Sequence, residues 1–283
     1  MIKTGNKVSI CIPVYNGEKT IKRAILSAAA QSYENIEILV IDNQSQDRTK
    51  EIVESINDSR IVFFQNEKNL GMAGNWNRCL EEATGDYIHF LCADDVIKPD
   101  CIRKKMSVMK RFPEVVMVTG STDLVDENDE LIMQRKRYAK NVLLDGHKYA
   151  KRSFRMGNIF GEPSNILFRK DCIKETGMFS TDLHYTTDWE LWIKIADLGK
   201  IAYLKDSLTE YRLSPDNATS TLKLKKIMED DEKLIQRIRK MEQYDMSREE
   251  GLFMKMMLAA KDVCRMMFMR FFPVLVRIRK ELF

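Results

Sequence analysis

The chain has 283 residues, 44% of them hydrophobic, and a net charge of +4. Against about 100–200 residues for an ordinary domain, that length holds one large or two modest domains with a sizeable core. So weak a charge gives no ground for nucleic-acid binding. The six cysteines are scattered, without a C-x-x-C pair, and fit reduced thiols of a cytosolic protein, not a zinc site or a disulfide scaffold. The first residues lack an apolar signal core, and no run reaches about 18 apolar residues, so neither a secretory signal nor a spanning helix is expected.

In chain order, Val8–Pro13 reads as a buried strand. Glu18–Gln31 follows as a helix with Ile21, Ala24, Ile25 and Ala28 on one face. Ile36–Ile41 is a second strand ending at Asp42, Asp47–Ile56 a helix and Ile61–Phe64 a third strand. Gly71–Thr84 is a helix closed by Gly85 as C-cap. Asp86–Leu91 is a fourth strand, Pro99–Phe112 a helix with proline in its first turn, and Val115–Ser121 a fifth strand. This alternation predicts an α/β fold with a mainly parallel sheet covered on both faces. Ligands of such sheets bind beyond the carboxyl ends of the strands, where Tyr15-Asn16, Asp42 and Asp94-Asp95 all fall.

Beyond residue 122 the pattern loosens. Asp123–Glu130 reads as an acidic turn, Lys136–Asn158 as basic and mixed, Ser164–Phe168 as a short strand and Asp188–Leu198 as a helix. Residues 222–283 read as helices. The expected division is 1–121, 122–221 and a helical extension, 222–283. Residues 251–283 carry three Lys and four Arg against Asp262 and Glu281, a local charge of +5. Their mixture of Met, Phe and basic residues over 252–283 suits an interfacial helix on anionic lipid, or a helix packed on the body or on a second copy.

Adjacent carboxylates in a tight turn repel each other. Asp94-Asp95 is therefore either a solvated acidic turn or a site for a hard divalent cation, Mg²⁺ or Mn²⁺, of the kind shared with substrate phosphates. Tyr15 can stack on a base, and Asn16 can cap the helix after it. Asp42 is a turn residue or an acceptor for a base N–H. Asp188 caps its helix or serves as a base positioned by Trp189 and Trp192. Glu190, two residues on, cannot share its face. The absence of G-x-G-x-x-G and of G-x-x-x-x-G-K-[ST] argues against dinucleotide dehydrogenases and P-loop NTPases.

Taken together, Val8–Tyr15-Asn16-Gly17-Glu18, Ile38–Asp42, Asn69–Asn77, Gly85–Asp95 and Thr187–Trp192 resemble the family 2 inverting glycosyltransferases with the GT-A fold, over about residues 7–220. The resemblance implies a nucleotide-diphosphate sugar donor, usually UDP-linked, and a glycan or lipid-linked acceptor. It places Pro13, Tyr15, Asn16, Glu18, Asp42, Asn77, Asp94 and Arg212 around the donor, Asp94 and Asp95 on a Mn²⁺ or Mg²⁺ ion, and Asp188 as general base. With one base and no protein nucleophile, transfer proceeds by single displacement and inversion. A cytoplasmic enzyme, peripheral on the membrane face and able to form a homodimer, is the matching setting.

The chain departs from the family pattern at four points. Asn43-Gln44 stands where relatives have Asp-Gly, and Cys92 where they have the first Asp of Leu-Asp-x-Asp-Asp. Tyr211-Arg212-Leu213-Ser214 lacks their His, and Trp76 replaces an Arg. A non-catalytic protein on this fold and a nucleotidyltransferase remain the alternatives.

Overall fold

The computed structural model describes residues 6–214 and 222–264. One ten-stranded sheet organises the described residues, in the order β3-β2-β1-β4-β9-β6-β10-β5, with β7 added to β6 and β8 to β10. In sequence these are β1 (Val8–Val14), β2 (Ile36–Asp42), β3 (Ile61–Gln65), β4 (Tyr87–Phe90), β5 (Val96–Ile97), β6 (Val115–Val125), β7 (Leu131–Arg135), β8 (Val142–Asp145), β9 (Leu167–Arg169) and β10 (Lys200–Arg212). Strands β3, β2, β1 and β4 run parallel. The short β9 enters antiparallel between β4 and β6, so the second half of the sheet is mixed.

β1 is buried along its whole length because helices cover both faces. Ile10 and Ile12 pack with α1 (Ile21–Ala29) and α4 (Cys101–Arg111), while Cys11 faces α3 (Gly71–Glu82) and α7 (Thr187–Ala196). The apolar stripe predicted for α1 is the buried one, Ile21, Ala24, Ile25 and Ala28. Each fully buried Ile or Leu contributes about 1.5–3 kcal/mol. Pro13 lies past the last β1–β4 pair, Cys11–Phe90, so its missing N–H opens no bond on that side.

Three expectations change. Gly85 is no C-cap: α3 ends at Glu82 with Ala83 extended at the cap. Glycine is needed at 85 because an added Cβ would meet Ser9 N at 2.7 Å and Lys7 O at 2.8 Å. The acidic turn begins only after Val125, since β6 continues through Asp123, whose carboxylate is matched by Lys98 Nζ at 2.6 Å and Gln134 Nε2 at 3.0 Å. β6 thereby crosses the division drawn at 121–122. The basic stretch holds β8 and a regular helix, α5 (Gly146–Met156), capped by Asp145.

After β10, α8 (Leu224–Lys240) and a helix over 248–264, α9, pack on the face covered by α3, α5 and α7. Leu234, Ile235, Ile238, Met254 and Leu258 join its core. No helix among the described residues is long and apolar enough to cross a membrane. Residues 265–283 of the basic tail lie outside the described residues.

Candidate active site

The ends of β1, β2 and β4 are knit together by side chains. Asn16, left-handed at φ 51, caps no helix. Its N–H donates to Ser45 Oγ at 2.8 Å, and its Oδ1 accepts from Gln46 N at 2.8 Å. Gly17 N donates to Thr49 Oγ1 at 2.8 Å and Glu18 N to Asp47 Oδ2 at 2.9 Å, while Glu18 Oε2 accepts from Arg48 N at 3.2 Å. The loop after β2 thus clasps the loop after β1 and holds Tyr15 out, 51% exposed. Asp42 has no exposed surface. Its carboxylate accepts from Ser45 Oγ at 2.5 Å and Gln65 Nε2 at 2.7 Å, which makes it the floor of this loop.

Asn43, which departs from the family's second Asp, is a hub whose partners the sequence did not reveal. It donates to Asn69 Oδ1 at 2.9 Å and Gly71 O at 3.2 Å, and accepts from Leu70 N at 2.8 Å and Asn66 Nδ2 at 3.1 Å. A carboxylate has no N–H to make the first two bonds. Trp76 is likewise a core residue, with ring centroids 5.0 Å from Phe179 and 5.8 Å from Phe90. Asn77 spends its amide on the backbone of Phe179, at 2.9 Å in both directions. The structure therefore puts Asn77 on the Phe179 loop, not on an open pocket wall.

Beyond β4 the chain turns sharply, Asp95 N donating to Cys92 O at 3.0 Å, and re-enters the sheet as β5 against β10. That pairing sets Arg212 beside Asp95, whose Oδ1 accepts Arg212 N at 3.1 Å. Asp95 Oδ2 accepts Ser164 Oγ at 2.5 Å, from a 3₁₀ turn, Pro163–Asn165. Buried Lys105 braces that turn, Nζ donating to Asn165 O at 2.9 Å. Burial and the Asp94 charge push the Asp95 carboxyl well up, and burial raises Asp94. The Arg212 guanidinium turns away to Glu127 O, at 2.6 Å, and to Asp129. It meets the carboxylate pair through its backbone and its charge, in place of a forward-reaching fork.

Cys92, Asp94 and Asp95 place one ligand atom each within 4.8 Å of one another. The Cys92 thiol is driven well up by burial and by Asp95 and Asp94, so it stays protonated and soft. The two carboxylates alone fit a hard divalent cation: they repel, lack a full countercharge, and keep lone pairs beyond those bonded to Ser164 and Arg212.

Asp188 opens α7, where it caps nothing. It is half-buried, and burial pushes its carboxyl up to about 6 against a 3.2 Å hydrogen bond from Asn158 Nδ2. It lies close enough to Cys92 for its charge to raise that thiol. Glu190 points elsewhere, to Ser180, Lys194 and Arg237. Trp189 donates to Ser153 Oγ at 3.0 Å and is a packing residue, whereas the fully buried Trp192 directs its indole N–H to Asp188 and favours the ionised carboxylate. Ser164, Asn158 and Arg135, the last held by Glu162 and within reach of the Asp95 charge, were not visible in the sequence pattern. No local motif marks them.

The description "Glycosyl transferase family 2" covers the family whose sequence model matches residues 9–177. An uncharacterized glycosyltransferase of Rickettsia typhi is 31% identical over 218 residues, 76% of this chain and 66% of that protein. One of Haemophilus influenzae is 35% identical over 183 residues, 59% of this chain and 72% of that protein. The chain thus spans 66% of the length of the Rickettsia relative. Among solved structures, residues 1–349 of S. aureus TarS in complex with UDP-GlcNAc superpose with a TM-score of 0.67 at 20% identity, covering 94% of this chain and 72% of that one. The complex of the same protein with UDP gives 0.65 at 21% identity, covering 83% and 66%. With a mixed sheet flanked by helices and this match over most of its described strands, the chain belongs to glycosyl transferase family 2 and has the GT-A fold.

Proposed function

We propose that the protein moves a sugar, with inversion, from a UDP-linked donor to a hydroxyl of a glycan or lipid-linked acceptor. The observation that carries this reading is the half-buried Asp188, poised near neutrality beside the Asp94-Asp95 turn. The UDP and UDP-GlcNAc complexes of TarS support the choice of nucleotide.

Tyr15 offers its ring to the base, and Pro13 with the Asn16–Glu18 loop forms the wall behind it. Asp42 and Asn77 contribute by holding the loops that shape this wall. Asp94 and Asp95 would hold Mn²⁺ or Mg²⁺, which when bound neutralises charge developing on the leaving diphosphate. Asp188 accepts the proton of the attacking acceptor hydroxyl. No nucleophilic Ser, Cys or Lys is needed.

A membrane-face setting is supported by the outer face of α9, where Leu252 and Met256 are 59% and 65% exposed. The test is release of UDP from a panel of UDP-sugars with Mn²⁺, comparing wild type with Asp188→Asn. Donor-dependent UDP release that falls in the variant supports the reading; equal release in both refutes the base. No donor binding at all points to the non-catalytic alternative.

A further inference from the structure

A second basic feature lies on the Asp188 side of the site. A cavity of about 190 Å³ is lined by Lys136, Arg137, Tyr138, Tyr149, Arg152 and Met156. It opens between the end of β7, α5 and the turn at Asn158. At about 30 Å³ per water molecule, it has room for a tetrahedral anion.

Its two arginines are not neutralised by a carboxylate partner among the described residues. Arg135 pairs with Glu162 and Arg155 with Glu250. Arg137 and Arg152, which lie between them in sequence, have no carboxylate at ion-pair distance among the described residues. Arg152 Nη1 donates to Tyr138 Oη at 3.1 Å, and Arg137 N to Tyr203 Oη at 2.8 Å. These bonds to neutral oxygens hold the two arginines in place and leave their charge uncompensated. Lys261 of α9 packs its ammonium against Gly157. Its pKa is lowered chiefly by desolvation and then by the Arg137 charge, with Asp262 and Asp231 opposing, so Arg137 reaches this lysine electrostatically.

The cavity is wired to the base. Arg137 Nη2 donates to Asn158 O at 3.5 Å, and the same residue's Nδ2 donates to Asp188 at 3.2 Å. Asn158 thus touches both Arg137, on the cavity wall, and the base Asp188. Two guanidinium forks and a lysine exceed what one planar carboxylate can satisfy, and they match the charge and several oxygens of a phosphoryl group.

We infer that this cavity is an acceptor subsite that binds a phosphoryl group, ester or diester, carried by the acceptor near the hydroxyl that attacks. The inference rests on Asp188 as base and narrows the acceptor class to phosphorylated glycans, phosphodiester polymers or lipid-linked phosphates.

The test uses the full chain with UDP and Mg²⁺ present, so that the donor site is filled. Thermal unfolding is followed as inorganic phosphate is added, against sodium chloride and acetate at matched ionic strength. Phosphate raises the wild-type Tm by mass action. In Arg137→Gln/Arg152→Gln the apparent phosphate affinity falls about tenfold, through loss of charge-assisted donors. Arg137→Lys, which keeps charge but loses the fork, falls between them. Asp188→Asn keeps the phosphate response. Variant-sensitive binding to phosphatidylglycerol vesicles over phosphatidylcholine assigns the phosphate to a lipid headgroup; response to soluble phosphate alone assigns it to a glycan or polymer. A phosphate shift equal in wild type and double variant, or absent from both, overturns the subsite. The UDP response is read separately: its absence sinks the donor reading, and the phosphate comparison still judges the cavity.

Discussion

Ser164 bridges the two ends of the acidic turn: its hydroxyl donates to Asp95 Oδ2 at 2.5 Å and accepts Cys92 N–H at 2.9 Å. One side chain from a 3₁₀ turn far along the chain therefore fixes the carboxylate pair that the strand β4 delivers. Ser164→Ala leaves a buried carboxylate and a buried N–H each short of a partner. We expect a loss of about 1–3 kcal/mol in urea unfolding. Weaker Mn²⁺ retention by the UDP-loaded protein should accompany it.

Asp188 must be ionised to accept a proton, and burial raises its pKa to about 6. Activity should therefore be full above neutrality and fall as pH drops through about 6. Asn158 donates to the ionised form and lowers that value, so Asn158→Ala should move the midpoint upward. Asp188→Asn should lose about 10²–10⁴ in kcat, the scale of general-base catalysis, with UDP affinity kept. A pH profile of UDP release for the three proteins decides it.

Asn43→Asp restores the family's usual residue and should harm this protein. Asn69 Oδ1 and Gly71 O would then face a carboxylate in place of an amide donor. The expected cost is about 1–3 kcal/mol for unmet buried acceptors, more with the added charge. Denaturant midpoints of the two proteins are the measurement.

Asp231 on α8 and Asp262 on α9 face each other in the interior, both buried. Burial, then the Asp262 charge and a shared hydrogen bond, push Asp231 up to about 8. A raised folded-state pKa stabilises the protein at low pH and loses that contribution as pH rises through the folded value. Stability from this pair should thus decline from about pH 4 to about pH 8 and level off above, and Asp231→Asn should flatten the decline. Tm against pH for wild type and variant tests the sign.

Leu252→Gln/Met256→Gln changes only outward positions of α9, so stability should move by no more than about 0.5 kcal/mol. Binding to vesicles containing phosphatidylglycerol, measured by co-sedimentation, should drop. Shortening the chain at Glu250 is the wrong experiment, because it removes Met254 and Leu258 from the core.

The sequence by itself determined the first half of the sheet and the placing of Tyr15, Asp42 and Asp94-Asp95 at strand ends. Periods of two and 3.6 are local, and a strand buried on both faces reads as an unbroken apolar run. Asp188 came from a motif, and its separation from Glu190 from helix geometry. The partners of these residues were decided only by the tertiary structure. Ser164, Asn158, Arg137 and Arg152 carry no local signature: their roles arise where β5, β9, β10 and α5 bring distant segments together. The same holds for Asn43 and Trp76, whose departures from the family pattern make sense once their neighbours are known, and for the turned-away guanidinium of Arg212. Periodicity reports which face of an element is buried. It carries no information on which polar groups meet across elements, and here that meeting sets the charge, burial and proton affinity of the site.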